Sequence, residues 1–427
     1  MKKIVLIGLY LIISNLTIAQ DTLTLEKAIK ITLDNNFGIK IAKNNVESMK
    51  NTAIPANANL LPRIDLSAGV NYSDNTIQTD MGETQQNATL TNTGISLSYT
   101  LFDGRANINN YKKLKEMVSA SELQSRLSVE SAIYQLINAY YTAVINYENL
   151  LVYSNMLDVS RRRYERAKVN KEYGKSSGLE LLNSEVDYNN DSINYLNAIN
   201  TLDKSKRNLN MLMSREPSIP FNTEAKLIEF QLYILPEIKN EAIENNVSYN
   251  LISNTLKQDE LELKISKGAY SPVLSVNTSY GYNQSVEYFG LQLDNPNANL
   301  TAGLSLRFNI FDGGRKRKQI QNAQISIDNT QLHLEDEKIQ LFTDIENSFA
   351  NYEHNIRVLR TNEVNLKASK LNFDRSVEHY SLGQITSTQF REAQINYSRA
   401  KVNITISRYS AKLSEVALVY LSGNILE

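Results

Sequence analysis

The sequence has no cysteine, no tryptophan, three histidines and seven prolines in 427 residues. Without cysteine there is no disulfide framework, no thiolate metal site and no lipid-modified N-terminal cysteine. His333, His354 and His379 lie far apart in helical sequence, so no histidine cluster for a metal is visible. Net charge is almost absent: 45 basic residues against 46 acidic ones leave −1, which is not the balance of a chain that coats nucleic acid. Past the N-terminus no apolar run approaches the roughly 18 residues of a membrane helix. If the chain enters a membrane, only a closed β-barrel remains, because lipid leaves open backbone groups unsatisfied. There is no phosphate loop, no Cys or His nucleophile pair and no paired carboxylates in a pocket-like context. The sequence therefore points to neither an enzyme nor a cofactor.

The N-terminus reads as a secretory signal peptide over residues 1–19. Lys2 and Lys3 form a basic region, Ile4 to Ile13 an apolar one, and Thr17 and Ala19 stand at the small-residue positions before a cut at Gln20. The apolar stretch is shorter than the roughly 20 residues a bilayer span needs, which argues against a retained anchor. Removing it takes two lysines and no acid, so the mature chain carries about −3 by simple counting of side chains.

The remainder is a duplicated unit, the kind of self-similarity that sets architecture. Leu101-Phe102-Asp103-Gly104 recurs as Ile310-Phe311-Asp312-Gly313, Pro62 as Pro272, Asn35-Asn36 as Asn245-Asn246, Tyr173-Gly174 as Leu382-Gly383, and Tyr188 as Tyr397. The first repeat spans 20–213: a helix from about Thr24 to Asn59, a β-hairpin at 63–102, a long helix at 105–173 and a returning helix at 179–213. A linker at 214–236 carries Pro217, Pro220 and Pro236. The second repeat spans 237–427, with a hairpin at 272–311, a long helix at 314–382 and a returning helix at 387–421. The long helices come to roughly 100 Å at 1.5 Å per residue, and the shorter ones to about half. Ile133, Ile137, Tyr140, Val144, Tyr147 and Leu151 alternate steps of four and three, as do Leu341, Ile345, Phe349, Tyr352, Ile356 and Leu359. That is a coiled-coil seam.

Four segments alternate with period two. Ile64 to Tyr72, Ile95 to Leu101, Leu274 to Tyr282 and Ala302 to Ile310 each set apolar residues against Ser, Thr, Asn and Gly. Strands of roughly nine to ten residues with such faces fit a transmembrane barrel, apolar to lipid and polar to a lumen. A half-buried soluble sheet gives the same alternation. Small uncharged polar faces, the long polar stretches Ser73 to Thr93 and Asn283 to Leu300 read as external loops, and export by the signal peptide favour the barrel. Four strands cannot close one, so copies must share it: two copies give eight strands, three give twelve. Arg307 falls on the lumen face, as a selectivity element or simply a solvated cation. Tyr72, Tyr280, Tyr282 and Phe308 fit an interfacial aromatic belt or ordinary sheet packing. Phe102 and Phe311, out of phase, are expected to wedge the strand-to-helix transitions, with Asp103 and Asp312 as N-caps. Gly174 and Gly383 are helix-turn glycines.

This duplicated plan, with alternating strands ending in Phe-Asp-Gly before a long helix and glycine-centred turns, resembles the TolC-like outer membrane factors, also called outer membrane efflux proteins. The resemblance implies a mixed α and β membrane protein: a homotrimeric twelve-strand β-barrel in the outer membrane, continuous with a periplasmic α-helical barrel. It implies work with a periplasmic adaptor (membrane fusion) protein and an inner-membrane pump, in efflux or type I secretion. It also maps periplasmic gate positions onto Glu180, Gln389 and Glu392, with a glutamine where the family carries an acid and Ile385 where a basic residue is expected. Ser177 with Glu180, and Thr386 with Gln389, read equally as capping boxes. The rival for the whole chain is an exported periplasmic coiled-coil scaffold without a pore.

Overall fold

A computed structural model describes residues 22–79, 82–174, 177–224, 228–288 and 292–426. The signal peptide expected at 1–19 lies outside them. In chain order the elements are β1 (Thr22–Leu23), α1 (Leu25–Asn35), α2 (Phe37–Thr52), β2 (Arg63–Thr79), β3 (Gly82–Phe102), α3 (Ala106–Glu172), α4 (Gly178–Leu212), β4 (Asn222–Thr223), α5 (Leu235–Asn245), α6 (Val247–Gly268), β5 (Val273–Tyr288), β6 (Gln292–Arg307), α7 (Arg315–Ser381) and α8 (Ser387–Ser422). They fall into two compact units. One holds the described residues up to Lys43, Ser125–Val247 and those from Lys338 on; the other holds Asn44–Gln124 and Ser248–Glu337.

The first unit contains the apolar core. Leu23, Ala28, Leu136, Tyr140, Val144, Leu209, Phe221 and Tyr409 are buried together, and β1 pairs parallel with β4 at Leu23 and Thr223. The coiled-coil seam is buried at Ile133, Ile137, Tyr140 and Val144 but opens at Leu151, which is exposed. The single helix expected from Thr24 is two helices, broken at Asn36, and α2 ends at Thr52 rather than near Asn59. The second repeat breaks in the same way at Asn246. The cause is asparagine chemistry. Asn36 Oδ1 accepts from the Ile39 amide at 3.2 Å, capping α2, and its Nδ2 donates to the Leu212 carbonyl at 2.9 Å. Asn246 donates likewise to the Leu421 carbonyl at 3.0 Å. Each break thus feeds the unpaired end of its repeat's returning helix.

Buried tyrosines tie the short segments to the long helices. The Tyr140 hydroxyl donates to the Leu23 carbonyl at 3.0 Å, and that of Tyr352 to the Gln231 carbonyl at 2.6 Å. Burial, the main cause, pushes both phenols up to about 12, against about 10 in the unfolded chain. The folded state therefore holds these protons more tightly, so their stability is whole below pH ~10 and is lost as pH rises through about 12. Circular dichroism at fixed temperature should show an alkaline unfolding limb in that window. It should flatten in a Tyr140→Phe/Tyr352→Phe variant, and an unaltered limb would assign it to other groups.

The second unit is built on one antiparallel sheet of order β2-β3-β5-β6. The two hairpins extend well past the alternating segments. Pairing continues to Thr79 opposite Gly82, and to Tyr288 opposite Gln292, so most of the stretches read as loops at 73–93 and 283–300 is strand. Ser73, Asp74, Asn75, Thr76 and Gln78 set polar residues on both faces, interrupted by Ile77 alone, which leaves hydrogen-bonded ribbon without a hydrophobic period. At the other end β6 stops at Arg307, short of the expected 311. A register shift between Thr100 and Phe102 brings Phe102 opposite Leu274, which is why it falls out of phase. Phe311 is 84% exposed and wedges nothing in this chain. The Asp103 carboxylate accepts from the Asn107 amide at 2.8 Å, and that of Asp312 from the Lys316 amide at 3.0 Å. Both cap a long helix from just outside it.

Candidate functional site

In the sheet unit, register sorts the side chains into two faces. Across one face run rows such as Leu66–Ile95–Tyr280–Leu300 and Phe102–Leu274–Leu306; across the other run Asp65–Ser96–Ser279–Thr301 and Gly69–Asn92–Asn283–Asn297. The apolar face is bare: Leu66 is 77% exposed, Leu304 71% and Leu306 69%. A water-soluble sheet covers such a face, whereas lipid would solvate it. Tyr280 and Tyr282 occupy adjacent rows of this face, and Tyr72 stands further along it. The polar face is mostly Ser, Thr, Asn and Gly, with Leu90 and Val273 among them, and an ion pair stands at its rim, Arg63 to Asp65 at 2.9 Å. Arg307, the last residue of β6, stands exposed opposite Val273. Among the described residues β2 pairs only with β3, and β6 only with β5. Both outer edges keep free backbone groups that a hydrocarbon environment does not tolerate.

In the helical unit, the turns between long and returning helices use positive φ at Gly174 (68°) and Gly383 (73°), a geometry that a side chain disfavours. The α8 turn carries a complete capping box: the Gln389 amide donates to Thr386 Oγ1 at 3.2 Å, and Gln389 Oε1 accepts from the Thr386 amide at 2.9 Å. At α4 the half of the box present is the Glu180 amide donating to Ser177 Oγ at 3.3 Å. Glu180 is half-buried, while Gln389 and Glu392 are exposed. The two repeats also match in ring contacts that the sequence only half disclosed: Tyr164 stacks on Tyr188 at 5.8 Å and Phe373 on Tyr397 at 5.3 Å.

A few turns along these helices lies an ionic quartet that departs from the repeat. Arg391 on α8 grips Asp191 on α4 with two hydrogen bonds, 2.7 and 2.8 Å, and lies 3.5 Å from Asp187. Arg163 on α3 also donates to Asp187. Arg163 is 4% exposed and Asp191 1%, while Asp187 and Arg391 are half-buried, so the buried cation and the buried anion are each paired with a charge nearer the surface. Arg163 Nε and Nη1 nevertheless have no hydrogen-bond partner among the described residues. Desolvation, and after it the charge of Arg391, lowers the Arg163 pKa; Tyr380, Asp191 and Glu180 oppose. The quartet fastens α8 of the second repeat to α3 and α4 of the first.

The family model described as "Outer membrane efflux protein" matches residues 28–215 and 255–424. The outer membrane protein TolC of Escherichia coli is 21% identical over 387 residues, covering 87% of this chain and 76% of that protein. The outer membrane efflux protein BepC of Brucella suis is 20% identical over 346 residues, covering 78% and 72%. Among solved structures, the Campylobacter jejuni CmeC outer membrane channel superposes with a TM-score of 0.77 at 18% identity, over 94% of this chain and 86% of that one.

Proposed function

Because the chain belongs to the outer membrane efflux protein family, we propose that three copies share one twelve-strand barrel in the outer membrane, and that the helices form a tunnel in the periplasm. In this reading a periplasmic adaptor and an inner-membrane pump deliver solutes to the tunnel, and the polar faces of the strands conduct them out. The observation that carries the reading is the four-stranded sheet with a bare apolar face, a small-residue polar face and two open edges. Three copies join edge to edge, satisfy every strand and set the apolar faces in lipid. A pore-free scaffold has no use for such a sheet. Native mass spectrometry of the detergent-extracted protein, from membranes separated by density, tests this. A trimer from the outer-membrane fraction is expected. A water-soluble monomer would sink the channel.

Glu180, Gln389 and Glu392 border the periplasmic entrance in this reading. Glu392, exposed and outside the capping box, is the member with no structural task to explain it. Three copies of its carboxylate around one axis attract cations and repel one another. Replacing Glu392 with Ala should lower cation preference in planar-bilayer recordings while leaving assembly intact. An identical reversal potential in a salt gradient would return Glu392 to the solvated surface.

A further inference from the structure

The cations of the sheet unit are sorted by position. Between Ile64 and Gly104, and again between Gly268 and Leu306, there is no Lys, Arg or His. The acids of these hairpins include Asp74 and Glu83 in one, and Glu287 and Asp294 in the other. Beyond the end of β6 the pattern reverses abruptly. Arg315, Lys316, Arg317 and Lys318 make up the whole first turn of α7, which has no acid. Arg315, Arg317 and Lys318 are exposed. Four cations at the positive end of a helix oppose its dipole; the Asp312 carboxylate caps the Lys316 amide, and the Lys316 ammonium lies over the Tyr270 ring at 5.8 Å. The equivalent turn of α3, from Ala106, carries no charge. Neither helix stability nor the repeat accounts for the cluster.

The approach to it is apolar. Leu304 and Leu306 lie on the apolar face of β6, the sequence keeps the alternation at Phe308 and Ile310 past the end of the strand, and Ile310 is 89% exposed and Phe311 84%. Exposed aromatic and aliphatic residues followed at once by cations are the signature of a chain crossing from hydrocarbon into an anionic headgroup layer. One helical turn rises about 5.4 Å, which fits within a headgroup layer of roughly 5–8 Å. Four consecutive residues surround the helix, so some project towards lipid at any rotation, and long basic side chains reach the rest of the way.

We propose that Arg315, Lys316, Arg317 and Lys318 form a collar that binds the phosphate headgroups of anionic phospholipids in the periplasmic leaflet of the outer membrane, with Ile310 and Phe311 inserted beside their acyl chains. The proposal rests on the channel reading, which places the sheet in the membrane and α7 below it. The collar anchors the barrel at a fixed depth.

The test uses the full-length assembly in detergent, titrated with phosphatidylglycerol and separately with phosphatidylcholine, with bound lipid counted by native mass spectrometry. The wild type should retain phosphatidylglycerol preferentially, and R315Q/K316Q/R317Q/K318Q should lose that preference by tenfold or more, given roughly fivefold per cation at a membrane surface. Raising salt should release the lipid from the wild type, and R315K/R317K should keep it. Inorganic phosphate at millimolar concentration should not compete, because the acyl chains supply the rest of the affinity. An unchanged phosphatidylglycerol preference in the quadruple glutamine variant would overturn the proposal. So would dissociation of that variant into monomers, which would assign the four cations to contacts between copies. Competition by phosphate would reduce the collar to an anion site. Conductance in planar bilayers, recorded on the same samples, reports separately on the channel reading.

Discussion

Leu304→Arg is expected to abolish the assembled species in the outer membrane. Leu304 stands opposite Val276 within the apolar rows of the sheet and is 71% exposed, so in the barrel it faces hydrocarbon. An arginine at the middle of such a band costs ~2–4 kcal/mol per copy. Three copies bring that to the order of the whole stability of a typical domain, about 5–15 kcal/mol. The measurement is the amount of trimer in density-separated membranes. Ser305→Arg is the matched control. Ser305 lies one residue away, opposite Ser275 on the polar face, and its variant should assemble normally with altered conductance. If Ser305→Arg fails to assemble while Leu304→Arg succeeds, the two faces have been exchanged. If both assemble without effect, the sheet does not stand in lipid.

The phase of the strands was legible because side chains alternate with a period of two wherever one face differs from the other. Ile64 to Tyr72 carries that signal strongly. From Ser73 onward it vanishes, because polar residues stand on both faces; yet pairing continues from Asp74 opposite Asn87 to Thr79 opposite Gly82. Hydrophobic periodicity reports solvent contrast, not hydrogen bonding, so a polar ribbon looks like a loop. The helix breaks were hidden for another reason. Asn36 and Asn246 stood out as repeat landmarks, but Gly38 after the first has Ser248 as its counterpart after the second, so no shared proline or glycine marked the two breaks. The Leu212 and Leu421 carbonyls that they satisfy lie far along the chain. Tyr188 and Tyr397 were visible as a recurring pair, while their stacking partners Tyr164 and Phe373 emerge only when long and returning helices lie side by side. The ionic quartet was the least legible of all. Arg163 sits in sequence crowded with charge and Arg391 in a polar stretch beside Glu392, and only three-dimensional packing distinguishes a buried guanidinium from a solvated one. The TolC-like resemblance pointed instead to residues just past the turns, and of these Glu180 acts electrostatically on Arg163 of the quartet.

That quartet carries the second large effect. Arg391→Ala should lower the melting temperature sharply, because it strands Asp191, whose carboxylate is 1% exposed and takes two hydrogen bonds from Arg391. Breaking one side of a buried pair costs ~3–5 kcal/mol, mostly the penalty on the charge left behind. The companion variant separates this from lost packing. Arg391→Ala combined with Asp191→Asn removes the stranded charge and should recover part of the loss, which mere truncation of a long side chain would not permit. Placement adds a second readout. Arg391 reaches from α8 to Asp191 and Asp187 on α4, and Arg163 holds Asp187 from α3, so the quartet is the charged fastening between the returning helix of one repeat and the helix pair of the other. Releasing it should loosen α8 just beyond its turn at Gly383, raising basal open probability in single-channel recordings before the protein melts. A variant that melts early but gates normally would make the quartet a structural fastening alone. One that gates openly and melts normally would mean that its ion pairs contribute nothing net to folding, their attraction merely offsetting the desolvation of Arg163 and Asp191, and serve to hold one end of α8 in place.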